Sequence, residues 1–283
     1  MKAKLVLQIV DSFNHHPDRL ATLLAALLVA ATPTAGLAAA EANAAPDKPA
    51  AETKAEKPPP LPLHQIEGNG GIFSTLSAYL VNPPRDGELV GRPSVGFAFV
   101  DIGYGRNLEA FTITETPWKR LELGYGYDRL DTGDLSQDVQ NATGLVIHEN
   151  EVGLHNFNAR LQLLKEGEFD QKWIPALTFG AHYKYNDTYN SINTDLKNTL
   201  HDIGVVRNDG VDFTLYASKL LTFLPRPVLV EAGGRATEGA HIGLLGFTDK
   251  YSFNVEANVV VFITDSILLA AEYRQKPNDY TAI

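Results

Sequence analysis

The chain has 283 residues, 24 Lys and Arg against 34 Asp and Glu, a formal net charge of −10 and no cysteine. These numbers exclude a disulfide framework and a thiolate metal site, and the lack of any basic stripe argues against nucleic acid as a partner. One Met against 23 Gly, 11 Tyr and 13 Phe is strand-and-turn composition; a mean hydropathy of −0.13 suits a soluble sheet and a transmembrane barrel alike, since half of each barrel strand is polar.

Residues 1–44 read as a secretory signal. Lys2 and Lys4 supply early positive charge, Arg19 precedes the apolar run Leu20 to Ala31, and Ala38–Ala40 and Ala42–Ala44 offer small-residue cleavage sites. The run is too short for a spanning helix, which takes about 20 apolar residues. Residues 45–63, "APDKPAAETKAEKPPPLPL", are too poor in apolar side chains to fold and read as a linker. "GNGG" at 68–71 lacks the spacing of a dinucleotide fingerprint and reads as a Gly-rich turn.

From residue 88 onward apolar and polar residues alternate repeatedly. The first strand is expected over Glu88 to Gly103, with Val95, Phe97 and Phe99 on one face. Phe111 and Ile113 alternate with threonines. In "LELGYGYDR", Leu121, Leu123, Tyr125 and Tyr127 oppose Glu122, Gly124, Gly126 and Asp128. Phe157 to Leu163 alternate about Arg160. In "LTFGAHYKYN", Leu177, Phe179, Ala181, Tyr183 and Tyr185 share one face, and Thr178, His182, Lys184 and Asn186 the other. Later strands oppose Val211, Phe213, Leu215 and Ala217 to Asp212; Val228, Val230 and Ala232 to Glu231 and Arg235; Tyr251 to Val261 to Glu256; and Ile267 to Tyr273 to Glu272 and Arg274. The count is nine strands, ten if Gly71–Val81 takes part, most about ten residues long.

Such strands pack as a sandwich with a dry apolar core, or as a membrane barrel with apolar residues outside. Sandwich strands run about 5–6 residues and membrane strands about 9–11, so length favours an all-β antiparallel transmembrane barrel over residues 64–283. Trp118, Tyr127, Trp173, Tyr185 and Tyr251 near strand ends match interfacial girdles. Connections 131–151, 187–209 and 238–250 are long and alternate with "ETPWK", "KEGEFDQK", "FLPRP" and "ITDS", as expected when one end faces outward and the other the periplasm. That parity requires Gly71–Val81 to lie at the periplasmic side or inside the lumen. Nine strands would leave the last one ending outside, and "PNDYTAI" lacks a closing amphipathic strand, so a barrel incomplete at its C-terminus is expected.

The polar faces nominate Arg160, His182, Lys184, Asp212, Glu231, Arg235, Glu256, Glu272 and Arg274 as lumen-lining residues. Charges of both signs at one depth either pair and plug a barrel or set up a transverse field that orients a polar solute. No catalytic pattern accompanies them. His148, His155, His182, His201 and His241 stand at no motif spacing from Ser136, Ser191 or Ser218, and "HEN" at 148–150 lacks a second zinc-site His. No enzyme activity, cofactor or metal is expected. Leu196, Leu200 and Ile203 predict a short helix over 194–204 in an outer loop; "NAT" at 141–143 is a chance sequon.

"EGNGGIFSTLSAYLVNPP", "LHNFNARLQLLKEGEFD", "NDGVDFTLYASKL" and "AAEYRQKPN" together resemble a proteobacterial family defined only as a domain of unknown function and regarded as an outer-membrane-type β-barrel. The resemblance runs from about Leu63 to the C-terminus and implies about 12 strands in a complete member. More loosely, the Gly-rich opening and the "AEYR" ending are similar to outer-membrane barrels linked to exopolysaccharide secretion. Neither resemblance supplies a site residue. The expectation is an outer-membrane β-barrel in contact with lipid, serving as a narrow pore for small polar solutes. The alternative is a structural or secretion-accessory barrel with a periplasmic or envelope protein partner.

Overall fold

The computed structural model describes residues 7–9, 26–29, 63–264 and 267–276. The remainder of the expected signal, nearly all of the linker and the terminal "PNDYTAI" lie outside the described residues. In chain order the strands are β1 (Leu7–Ile9), β2 (Ala26–Val29), the hairpin β3 (Leu63–Gln65) and β4 (Asn69–Gly71), and then β5 (Ser94–Gly103), β6 (Arg106–Glu115), β7 (Leu121–Asp131), β8 (Glu151–Leu164), β9 (Ala176–Asn186), β10 (Asp209–Leu221), β11 (Val228–Ala240), β12 (Gly246–Thr264) and β13 (Ile267–Arg274).

The expected nine strands are β5 to β13, each hydrogen-bonded antiparallel to the next, and the sheet curls into a half-barrel. Edge strands β5 and β13 do not pair with each other; β2 and then β1 continue the sheet beyond β13 through Leu268–Ala270. Both short strands fall in the segment expected to be removed as an export signal.

Three boundaries differ from expectation. The first strand begins at Ser94 rather than Glu88; Pro93 has no N–H to give a ladder, and only an isolated bridge, Val90 to Pro117, precedes it. The turn from β5 to β6 is only Tyr104–Gly105, both left-handed, so the long-loop end starts with one tight hairpin and the alternation of loop lengths is not strict. In 238–250 the strands run on to Ala240 and restart at Gly246, leaving a short bend at His241–Leu245.

The long-loop end also carries helices. The helix expected over 194–204 is two, α2 (Tyr189–Asp195) and α3 (Thr199–Asp202), because Lys197 and Asn198 both take left-handed φ and break the ladder. A third helix, which precedes them as α1 (Leu135–Thr143), fills the connection 131–151 and ends on left-handed Gly144.

The two faces of the sheet are inverted relative to a soluble domain. Outside, Phe97 is 70% exposed, Phe253 69% and Phe157 49%, with Leu161, Leu215 and Val255 beside them. In β9, Phe179, Tyr183 and Tyr185 point out, while Thr178, His182, Lys184 and Asn186 are buried inside. Exposed Trp118 and Trp173 stand at the short-loop end. Tyr127, His155 and Tyr185 form a ring ladder near the long-loop end, with centroids 4.8 and 6.1 Å apart.

Candidate functional site

All nine residues nominated from the sequence face the concave side, and the space they surround is filled. Leu63–Val81 runs through it as a plug: β3 and β4 form a hairpin closed by left-handed Gly68, and Ile66 N donates to Phe73 O while Ser77 N donates to Gly70 O. This confirms the interior option for Gly71–Val81 and removes it as a closing strand. Gln65, Glu67, Asn69, Thr75 and Ser77 of the plug have no exposed surface.

Glycine on the wall makes room for it. A Cβ on Gly124 would stand 1.9 Å from Gly68 O, and one on Gly126 2.5 Å from the Glu67 carbonyl carbon. The "GYG" of β7, set between outward-facing tyrosines, is therefore the seat of the hairpin.

Glu67 is the centre of the charge network. One carboxylate oxygen lies 2.9 Å from Lys184 Nζ and 3.3 Å from Arg274 Nη1; the other lies 3.0 Å from Arg235 Nη1. Asp212 pairs with the same Lys184 and Arg235 at 3.1 and 2.9 Å, and Glu256 with Arg235 and Arg274 at 2.8 and 3.2 Å. Tyr216 donates its hydroxyl to Glu256. Burial alone would raise the Glu67 carboxyl, but Arg235, Lys184 and Arg274 together hold it well below the usual carboxylate value.

Of the remaining nominated residues, Arg160 and Glu272 bind the plug's backbone, Glu231 a plug hydroxyl, and His182 only the wall. Arg160 donates to the carbonyls of Gly70, Ser77 and Tyr79 at 2.7–2.9 Å, and pairs with Glu122. Glu122 in turn accepts from Gly70 N at 3.1 Å and Val81 N at 2.7 Å. Glu272 accepts from three successive amides, Phe73, Ser74 and Thr75, at 2.9–3.1 Å, a concave nest of N–H groups around one anion. Glu231 accepts from Ser77 and Ser218 hydroxyls. His182 bridges Asn158 Oδ1 and Thr214 Oγ1, each at 2.8 Å, within the wall; it touches no plug atom through these bonds.

Apolar layers flank the charged one. Toward the short loops Ile72, Leu76, Ala78 and Tyr79 of the plug pack on Tyr216, Leu229, Val260 and Leu268. Toward the long loops Ile66 packs with Val100, Leu108 and Ala110, and Ile242 joins them. Burial of His64 lowers its pKa, and burial together with the Glu166 carboxylate raises the Tyr79 hydroxyl.

Two central residues were not nominated from the sequence. Glu122 sits on the recognised polar face of its strand, so alternation alone could have added it. Glu67 lies in no periodic segment; the only signal was an acidic residue beside a Gly-rich turn. Among the described residues no group of three His, Asp or Glu is placed to hold a metal ion. The arrangement neutralises buried charge and fixes a peptide segment.

The family described as "Protein of unknown function (DUF3034)" matches residues 65–283, which takes in the plug from Gln65 onward and all nine long strands. No curated protein and no solved structure matches the chain.

Proposed function

Because the chain belongs to this family of unknown function, DUF3034, its role rests on its own geometry, and we propose that it is an outer-membrane β-barrel forming a narrow small-solute pore that its N-terminal segment holds closed. The observation that carries the reading is the inversion of the faces: Phe97, Phe157 and Phe253 lie exposed while Arg160, Lys184, Arg235 and Glu67 lie buried. Lipid is the solvent that such an outer face suits, and aromatic residues near both ends suit its interfaces. Residues 1–44 would direct export and 45–63 would tether the plug on the periplasmic side. A polar solute would pass along Arg160, Lys184, Asp212, Arg235, Glu256 and Arg274 once Leu63–Val81 withdraws.

The number of the plug's contacts to the wall favours one second reading. A segment held this tightly also suits a structural or secretion-accessory barrel, in which the plug or linker engages a periplasmic partner and no solute passes. Boiled and unboiled samples of the detergent-extracted protein on SDS gels test the membrane reading: a mobility shift is expected of a closed barrel. Soluble periplasmic protein with no shift overturns it. Bilayer conductance then separates the two roles. Low conductance in the wild type that rises in Glu67→Gln supports the pore; no conductance in either supports the accessory barrel.

A further inference from the structure

Beyond the plug, the long-loop end holds a half-open cavity of about 400 Å³ that the lumen reading leaves unused. Its walls are Val139 of α1, Ile192 of α2, Leu196 and Leu200 around α3, Leu130 at the end of β7, and Leu245 of the bend between β11 and β12. The helix α1 buries none of its residues fully; its apolar side chains line this space instead of a packed core. Unfilled apolar walls forfeit dispersion contacts that an apolar guest would restore.

The polar side chains at its edge are committed to the protein. Ser136 Oγ donates to Asn150 Oδ1 at 2.7 Å and Thr132 Oγ1 to the Asn150 carbonyl at 2.8 Å. The Asn186 amide donates to the carbonyls of Gly243 and Leu244 at 3.1 and 2.9 Å. Apart from Glu149 and His241, what is left facing the space is hydrocarbon. The volume falls within the range of about 300–1,000 Å³ for small-molecule sites, and suits a bicyclic aromatic or a medium-length alkyl chain.

Charge decides the class of guest further. The connections 131–151, 187–209 and 238–250 carry eleven carboxylates against three lysines and arginines, and Glu149 stands in the lining itself. An anionic headgroup meets repulsion here and finds no lysine or arginine among the lining residues, His241 being the one basic side chain there. We propose that this cavity is a binding site for a small neutral apolar molecule and that the acidic loops select against its carboxylate counterpart. The bend at His241–Leu245 links this site to the plug: Leu245 lines the cavity, and the Ile242 carbonyl accepts from Lys184 Nζ at 3.0 Å, the same ammonium that pairs with Glu67.

The test uses the full chain in amphipol and the neutral fluorophore N-phenyl-1-naphthylamine. Saturable one-to-one binding is expected, weakened about tenfold or more by Ile192→Trp and by Val139→Trp, each of which fills the space from a different helix. At mildly alkaline pH, 1-decanol is expected to displace the fluorophore at a concentration about tenfold below that of decanoate. Absence of saturable binding overturns the site, as does undiminished binding in both variants with wild-type far-UV circular dichroism. Equal displacement by decanol and decanoate overturns the charge selection. Should neither variant fold, the decanol-to-decanoate ratio on the wild type decides. None of these readouts depends on conductance, so the pore reading and the cavity site stand or fall separately.

Discussion

The two faces of one sheet obey opposite rules in this molecule. On the convex face, residues separated by two positions are Phe, Val, Leu and Tyr, and their mutual contacts are rings and methyl groups along neighbouring strands. On the concave face, the same strands place Arg160, Lys184, Asp212, Arg235, Glu256 and Glu272, each bonded to a neighbour or to the plug. The convex face carries no such buried charge network, and on the function proposed above lipid meets its side chains. The concave face needs every partner, since an uncompensated buried charge costs far more than a buried methyl group leaves ungained. The consequence is that substitutions inside should be specific and large, and substitutions outside should depend on what surrounds the protein.

The largest effect is expected at Glu67. Glu67→Gln leaves Lys184, Arg235 and Arg274 with one carboxylate fewer, and losing one partner of a buried ionic cluster costs about 3–5 kcal/mol, measurable as a lower denaturant midpoint. The same group sets an acid limit. Its folded-state pKa lies well below the ordinary 4.5, so its contribution is complete above pH 4.5 and is lost as pH falls below that value through the folded pKa. The wild type should therefore lose stability in that acid window, and Glu67→Gln should show a flatter acid limb.

Next comes the convex face. Val255 lies mid-way along β12, 46% exposed. Val255→Arg is expected to cost about 2–4 kcal/mol in a bilayer, the value for a cation at the midplane of a barrel's lipid face. In aqueous surroundings the cost should be within about 0.5 kcal/mol, as for other surface changes. Refolding into vesicles with urea titration reads the difference, and an effect near zero in vesicles breaks the contrast between the faces.

Gly124→Ala ranks third. The added Cβ meets Gly68 O at 1.9 Å, and because that oxygen belongs to the backbone the hairpin must shift; overpacking of this kind costs about 1–3 kcal/mol. Limited proteolysis should cut within Leu63–Val81 faster than in the wild type, while the strand signal in circular dichroism stays unchanged. An unchanged cleavage rate would mean the hairpin is not seated on "GYG".

The smallest effect is expected at the rim. Lys119 lies within hydrogen-bonding reach of the fully exposed Asp86, and the pair lowers the Asp86 pKa. Solvent and salt screen such a contact. Asp86→Asn should leave the thermal midpoint unchanged at physiological salt; a clear drop would show that the rim carries load assigned here to the interior.

Alternation determined the nine strands and the facing of every nominated residue, because a period of two in side-chain direction is a local property of extended backbone. Arg160, His182, Lys184, Asp212, Glu231, Arg235, Glu256, Glu272 and Arg274 were all readable as inward-facing for that reason. Ends were less legible: Pro93 shortened β5, and left-handed Lys197 and Asn198 split a helix that apolar spacing alone had joined. The plug was legible only as a segment that had to be elsewhere than in the wall, since Leu63–Val81 has little period of its own. That Glu67 stands among Lys184, Arg235 and Arg274, that Gly124 and Gly126 open a seat for Gly68, and that three loop helices border a largely apolar cavity were decided by tertiary structure. The plug contacts among these join residues 56 to 207 positions apart, and no local pattern encodes a partner that only the curl of the sheet brings near.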